Sequence, residues 1–275
     1  MALIANSNFK LRFITGTLGS ILLVLSILNP WTYCVIFLSI LLSCLKEFYF
    51  ILKENGYEPF TYLSLSIASV FFILSFMISA NIISDVYYTS LLIIFPVICA
   101  TLLYQKKLSN ALINLSLSFA GIIYIAIPFS ILNLLTFKSG TYEYSYLLLI
   151  LIYTWITESG SYFGGKILGK TKLSNISPNK TWEGVISGLI ANLFLSAILY
   201  YYFNYSFLFC LIFGLIVLII GIFGDLFESL VKRGFSLKDS SNKLPGHGGY
   251  LDRFDSLLFI IPFIYFYLLF VKHLT

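Results

Sequence analysis

Charge is what this chain has least of. Its 17 basic and 12 acidic side chains make up only 11% of 275 residues, against about 25% in an ordinary soluble domain. Five stretches, 13–45, 59–84, 86–105, 108–137 and 184–224, hold no Asp, Glu, Lys or Arg at all. A chain this poor in charge and 59% hydrophobic cannot hide its apolar surface in one soluble core. The uncharged runs reach the roughly 20 residues that a membrane span needs. Cysteine is equally uninformative as a framework: Cys34, Cys44, Cys99 and Cys210 stand singly inside apolar runs. No pair has metal-ligand spacing or suggests a disulfide scaffold. There is no Walker A motif, no dinucleotide fingerprint and no internal repeat.

What is present is a set of apolar segments separated by short polar links. Helices are expected at about 13–28, 31–52, 59–79, 86–105, within 108–137, from about 144 through the Gly160–Lys166 region, twice within 184–224 with a break near 200–205, and at about 252–271. The expected fold is therefore all-α, a polytopic bundle of about nine transmembrane helices. Lys10 and Arg12 precede the first run as in a signal peptide. Without a convincing cleavage site, and with further spans behind it, that run reads as a retained first helix. With the N-terminus inside, fifteen of the 17 basic residues fall on the cytoplasmic side; only Lys138 and Lys272 do not. The two charge-dense segments, 158–183 and 225–255, then share that face.

Those segments carry the chemistry. On a helix, Asp225, Glu228, Ser229 and Lys232 line one stripe, while Gly221 and Gly224 leave room for a close neighbour beside Asp225. Asp252, Asp255 and Ser256 repeat the pattern at the start of the last helix. Two carboxylate-bearing helix ends suit Mg²⁺, which takes one or two carboxylates plus phosphate oxygens and water. The same acids would equally serve as solvated ion-pair partners of Lys232, Arg233 and Arg253. The turn 245–249, with Gly246, Gly248 and Gly249, can offer backbone N–H groups to an anion. Within it His247, taken alone, reads more often as a structural histidine than as a catalyst. Lys238 and Lys243 alone would be ordinary positive-inside charges, and Trp182 an interfacial anchor. In combination, the acids, cations and glycine turn at a lipid surface suit a reaction between phosphates.

The order of these residues is more specific than their types. Ser229-x-x-Lys-Arg, Lys238-Asp, Leu244-Pro-Gly-His-Gly-Gly and Leu251-Asp-Arg-Phe-Asp-Ser together resemble the signature of the phosphatidate cytidylyltransferases, or CDP-diacylglycerol synthases. The upstream Ile176-Ser-Pro-Asn-Lys-Thr-Trp-Glu-Gly184 resembles the second motif of that family, and Ser159-Gly-Ser-Tyr-Phe163 its preceding helical segment. The likeness covers about 153–271 and is little more than hydropathy before that. One position departs: Glu158 stands where family members usually carry Asp, which lengthens the reach by one methylene.

The resemblance implies a nucleotidyltransferase that joins the cytidylyl group of CTP to phosphatidate, giving CDP-diacylglycerol and pyrophosphate for phospholipid biosynthesis. It implies Mg²⁺ held by Asp225 and Asp252, with K⁺ as a possible second ion. Lys232, Arg233, Lys238 and Arg253 are expected to offset phosphate charge, with Asp239 and His247 completing the catalytic set. Ser177, Lys180, Trp182 and Glu183 would close the polar wall from the other loop. Ser229, Lys243, Asp255 and the glycines of the 245–249 turn would complete substrate binding. Residues 1–137 are expected to be scaffold, and 138–275 the catalytic half around a cytoplasmic cleft. The expected partners are CTP, phosphatidate, the bilayer of a cell inner or plasma membrane and a second copy in a homodimer, with no nucleic acid. A CTP-dependent kinase of lipid alcohols is the nearest rival, and an ion-coupled transporter a distant one.

Overall fold

The computed structural model describes residues 15–93, 96, 100, 110–237, 239–241, 243 and 248–274. The predicted residues Lys10, Arg12, Cys99, Lys106, Lys107, Lys238, Gly246 and His247 lie outside them, as does most of the helix expected at 86–105. The described part is almost wholly helical and divides into two compact units. One comprises Met1–Tyr144 with Asp239–Phe254, the other Ser145–Lys238 with Asp255–Thr275.

In the first unit, α1 (Thr15–Ser26) is followed by α2 (Pro30–Glu54) and α3 (Thr61–Ser79). Asn29 and Pro30, which end the first apolar run, also begin the next helix. The Asn29 side chain accepts from the N–H groups of Trp31 (2.9 Å) and Thr32 (3.4 Å), and Pro30 takes the first helical position, where no N–H is needed. A 3₁₀ turn occupies Asp85–Ile93. Helix α4 (Ala111–Thr136) is one 26-residue run, about 39 Å long at 1.5 Å per residue. It widens to a π turn at Ile122–Ala126. Pro128 follows two residues on, where it has no N–H for the helical ladder and its ring crowds the position of the carbonyl four residues back. The helix is longer than the ~30 Å hydrocarbon layer, a length that a span accommodates by tilting.

Buried polar side chains tie the helices of this unit together. Asn133 accepts from Tyr33 Oη (2.8 Å) and donates to the Phe72 carbonyl (3.0 Å), tying α4 to α2 and α3; each such bond contributes about 1 kcal/mol and would cost more to leave unmade. A hairpin of β1 (Phe137–Lys138) and β2 (Thr141–Tyr142) ends the unit's helical run. Ser139 and Gly140 form its turn, both with positive φ (52° and 86°), as a tight right-twisting hairpin demands. This short hairpin is an addition to the expected all-α fold.

The second unit holds α5 (Ser145–Leu168), α6 (Trp182–Phe203), α7 (Phe207–Gly234) and most of α8 (Leu251–Leu274). The break inside 184–224 falls at 204–206, where Asn204 takes the left-handed conformation (φ 56°) that ends α6. Helices α5 and α6 meet through small residues. A Cβ on Gly160 would come within 2.9 Å of Ala191 Cβ, and one on Gly184 within 2.8 Å of the Ser161 carbonyl. In a bilayer, where lipid is as apolar as leucine, such close backbone contact is what holds helices together. Asn192 fixes the same junction, accepting from Thr157 Oγ1 (2.8 Å) and donating to the Gly214 carbonyl on α7 (2.9 Å).

Among the described residues, six helices are long and apolar enough to cross a membrane: α2, α3, α4, α6, α7 and α8. The chain is a polytopic membrane protein, and the expected count of nine is not reached within this set. Helix α1 is shorter, the 86–105 segment lies mostly outside the described residues, and α5 is long but carries Glu158, Ser159 and Ser161 in its second half.

Candidate active site

A cavity of about 490 Å³ opens within the second unit. Helix α5 supplies Thr154, Thr157, Glu158, Ser161, Tyr162 and Gly165. Their spacing of three and four puts them on one face, so the polar half of this apolar helix is a wall and not an irregularity. Helix α7 supplies Val217, Leu218, Gly221, Ile222 and Asp225 on the same rule. Ser256 and Ile260 come from α8, and Asn179, Lys180 and Thr181 from the 169–181 loop. The lining therefore passes from aliphatic side chains to carboxylates, hydroxyls and ammonium groups. A cavity so graded can hold a molecule with one apolar and one ionic end.

The loop is shaped by its own backbone. Leu173 N–H donates to the Lys180 carbonyl (2.8 Å), Lys180 N–H to the Ser177 carbonyl (3.1 Å) and Trp182 N–H to the Thr171 carbonyl (3.0 Å). Thr181 caps α6, accepting from Gly184 N–H at 3.2 Å. Glu183 accepts from Lys170 N–H (3.1 Å), Thr171 N–H (3.2 Å) and Thr171 Oγ1 (2.7 Å). Of the four residues expected to close this wall, Lys180 lines the cavity. Ser177 and Glu183 instead fold the loop that carries it, and Trp182 is 53% exposed beside it.

Lys180 forms an ion pair with Asp225. The Asp225 side chain keeps 37% of its surface open, so the pair faces accessible space. One turn on, Ser229 Oγ donates weakly to Asp225 Oδ1 at 3.4 Å. Gly224 lets α8 approach: a Cβ there would lie 2.8 Å from the Asp255 carbonyl and 2.9 Å from Ser256 Cα. Asp255 is buried, within electrostatic reach of Asp225, Glu158 and Lys232. Glu228, only 1% exposed, pairs with Lys232 along the helix. The expected alternative of solvated ion pairs thus does not describe Glu228, whose carboxylate is buried. Arg233 turns away to donate to the Leu237 carbonyl (3.1 Å), closing the end of α7.

Asp252 belongs to the first unit and has a different environment. Its Oδ2 accepts from Ser240 N–H (3.0 Å), Ser240 Oγ (3.0 Å) and Gly249 N–H (2.7 Å), and its Oδ1 from Ser240 N–H (3.1 Å). One N–H of the glycine turn, that of Gly249, donates to the chain's own Asp252 carboxylate. Gly248 has a φ of 81°, and a Cβ on it would sit 2.6 Å from Asp252 Oδ2. Both conditions require glycine. Asp239 and Arg253 are exposed beside this loop. Lys243 reaches Glu47 on α2 (3.6 Å), a residue that sequence reasoning did not single out.

Oxygen donors of this kind fit Mg²⁺. The cavity offers Asp225 and Glu158 with the hydroxyls of Thr157 and Ser256. Among the described residues no three His, Cys, Asp or Glu side chains form a ready-made metal cage.

Residues 10–271 match the model of the cytidylyltransferase family. A phosphatidate cytidylyltransferase of Bacillus subtilis (strain 168) is 47% identical over 130 residues, 46% of this chain and 48% of that one. One of Haemophilus influenzae is 38% identical over 170 residues, 59% of each chain. One of Staphylococcus haemolyticus is 41% identical over 122 residues, 43% of this chain and 47% of the other. The matched part spans about half the length of these relatives. With the family match running through both units, the chain belongs to the cytidylyltransferase family.

Proposed function

We propose that the protein transfers the cytidylyl group of CTP to phosphatidate, forming CDP-diacylglycerol and pyrophosphate. The observation that carries this reading is the graded cavity, where Lys180 of the upstream motif meets Asp225, one helical turn before the downstream motif, beside an aliphatic wall. The likeness to phosphatidate cytidylyltransferases supports the choice of substrates.

In this reading a phosphatidate oxygen attacks the α-phosphorus of CTP. A new P–O bond forms as the α–β phosphoanhydride bond breaks, and the electron pair leaves on pyrophosphate. The nucleophile is a phosphate monoester whose second pKa is about 6, so it is largely ionised at neutral pH and needs no strong base. The chain's task is placement and charge neutralisation. Lys180 and Lys166, on the cavity wall, would attract phosphate oxygens, while Val217, Leu218 and Ile222 would border the lipid end. Asp225 and Asp252 are the proposed Mg²⁺ ligands, the ion supplying charge neutralisation at the phosphates, and K⁺ is proposed as a second ion. Lys232, Arg233, Lys238, Asp239, His247 and Arg253 complete the proposed catalytic set around the motif. The site and N-terminus are proposed to face the cytoplasm from the cell's inner or plasma membrane, in a homodimer.

The test is product analysis with purified protein in detergent, phosphatidate, Mg²⁺ and CTP. Release of pyrophosphate in step with CDP-diacylglycerol is expected. Release of CDP with a phosphorylated lipid alcohol would instead identify a kinase.

A further inference from the structure

We propose that Glu47, on α2, is a positioning residue for the proposed reaction: it holds the loop that seats Asp252. The observation is a concentration of hydrogen bonds on one buried carboxylate. Glu47 is 1% exposed on a helix apolar enough to span a membrane, where an uncompensated charge is costly. Four partners reach it from the segment 240–251. Ser241 Oγ donates to Oε1 at 2.7 Å and Ser240 Oγ to Oε2 at 3.1 Å. Leu251 N–H donates to Oε2 at 2.9 Å, and Lys243 Nζ lies 3.6 Å from Oε1.

Each partner has a reason to be there. Leu251 is the first residue of α8, so its N–H has no acceptor within the helix, and a negative charge at that end is favourable. The Ser240 hydroxyl lies between two carboxylates, 3.1 Å from Glu47 Oε2 and 3.0 Å from Asp252 Oδ2. Its single hydrogen serves one at a time, which couples Glu47 to the carboxylate expected to hold metal. Gly249 closes the arrangement: a Cβ there would come within 2.4 Å of Glu47 Oε2, or 2.9 Å of its Cδ, and closer still to Ser240 Oγ. A side chain at Gly249 would therefore displace both Ser240 and Glu47. A scaffold helix contributes the residue that fixes the motif.

The inference rests on cytidylyl transfer as the reaction, so its test uses two readouts. Hydrogen exchange of purified protein in detergent, without nucleotide or metal, reports the loop directly. In Glu47→Ala, amides of 239–241 and 248–252 should exchange at least tenfold faster, while peptides of α5 and α6 keep wild-type protection. In Glu47→Gln, which retains an acceptor oxygen, protection should be partly restored. In the transfer assay Glu47→Ala should lower kcat at least tenfold with KM for CTP within threefold, and raise the Mg²⁺ concentration for half-maximal rate. Glu47→Gln should recover part of the rate. Unchanged loop exchange in Glu47→Ala would overturn the proposal, as would faster exchange everywhere, which marks general unfolding, or loosened exchange with wild-type kcat. If wild type transfers no cytidylyl group, the functional reading fails while the exchange result still decides whether Glu47 holds the loop.

Discussion

At the scale of single residues, the two aspartates of the motif stand in unlike surroundings, and their variants should differ outside the reaction. Asp225 faces the cavity with Lys180 against it. Asp225→Ala should reduce turnover by about 10²–10³-fold or more, the scale at which preorganised charge acts, with folding retained because the side chain is partly open. Asp252 clasps Ser240 and Gly249, so Asp252→Ala should lose turnover and also loosen its loop, visible as faster proteolysis near Lys243. Lys180→Ala removes a cation whose bond to a phosphate oxygen would contribute about 1.5–3 kcal/mol. Its KM for CTP should rise about 10- to 100-fold, measured by steady-state kinetics. An unchanged KM would remove Lys180 from the nucleotide site. Asp225 was legible in the sequence because helical spacing places it at the end of an uncharged run. Its pairing with Lys180 was not, since that depends on how the 169–181 loop closes. Glu47 was illegible for the same reason: beside Lys46 it reads as a membrane-edge charge, and the Ser240 hydroxyl it holds is 193 residues away.

Among elements, α5 shows why hydropathy alone describes half a helix. Its first half is buried aliphatic and aromatic surface, while residues 154–165 form a polar stripe on the cavity and a small-residue face against α6. The motif Ser159–Phe163 marked this segment in the sequence, but which side chains face the cavity required the helix phase. The tight α5–α6 contact should not tolerate bulk. Gly160→Leu would drive a side chain into Ala191 and the Ser187 carbonyl, at a cost of about 1–3 kcal/mol or more. A lower melting temperature in detergent and aggregation on size exclusion are expected; wild-type behaviour would contradict the packing. Gly249→Ala should likewise destabilise by about 1–3 kcal/mol, because Ser240 and Glu47 occupy the space a methyl would take.

For the whole molecule, low charge and long uncharged runs sufficed to establish a helical membrane protein, and the break at 204–206 fell within the expected interval. The number of spans was less legible, because a helix such as α5 crosses from apolar to polar along its length and the hairpin at 137–142 lies in a link too short to show a period. Structure also groups residues 239–254 with the N-terminal helices. The motif is therefore divided between two compact units.

The most direct test of the account is one labelling experiment on wild type and Asp225→Ala, purified in detergent to equal monodispersity. Each is incubated with phosphatidate, Mg²⁺ and CTP labelled at the α-phosphorus. Wild type should move the label into the lipid fraction, and Asp225→Ala should leave it in water. Label that stays in water with wild type, or reaches lipid at the wild-type rate with the variant, would contradict the central claim.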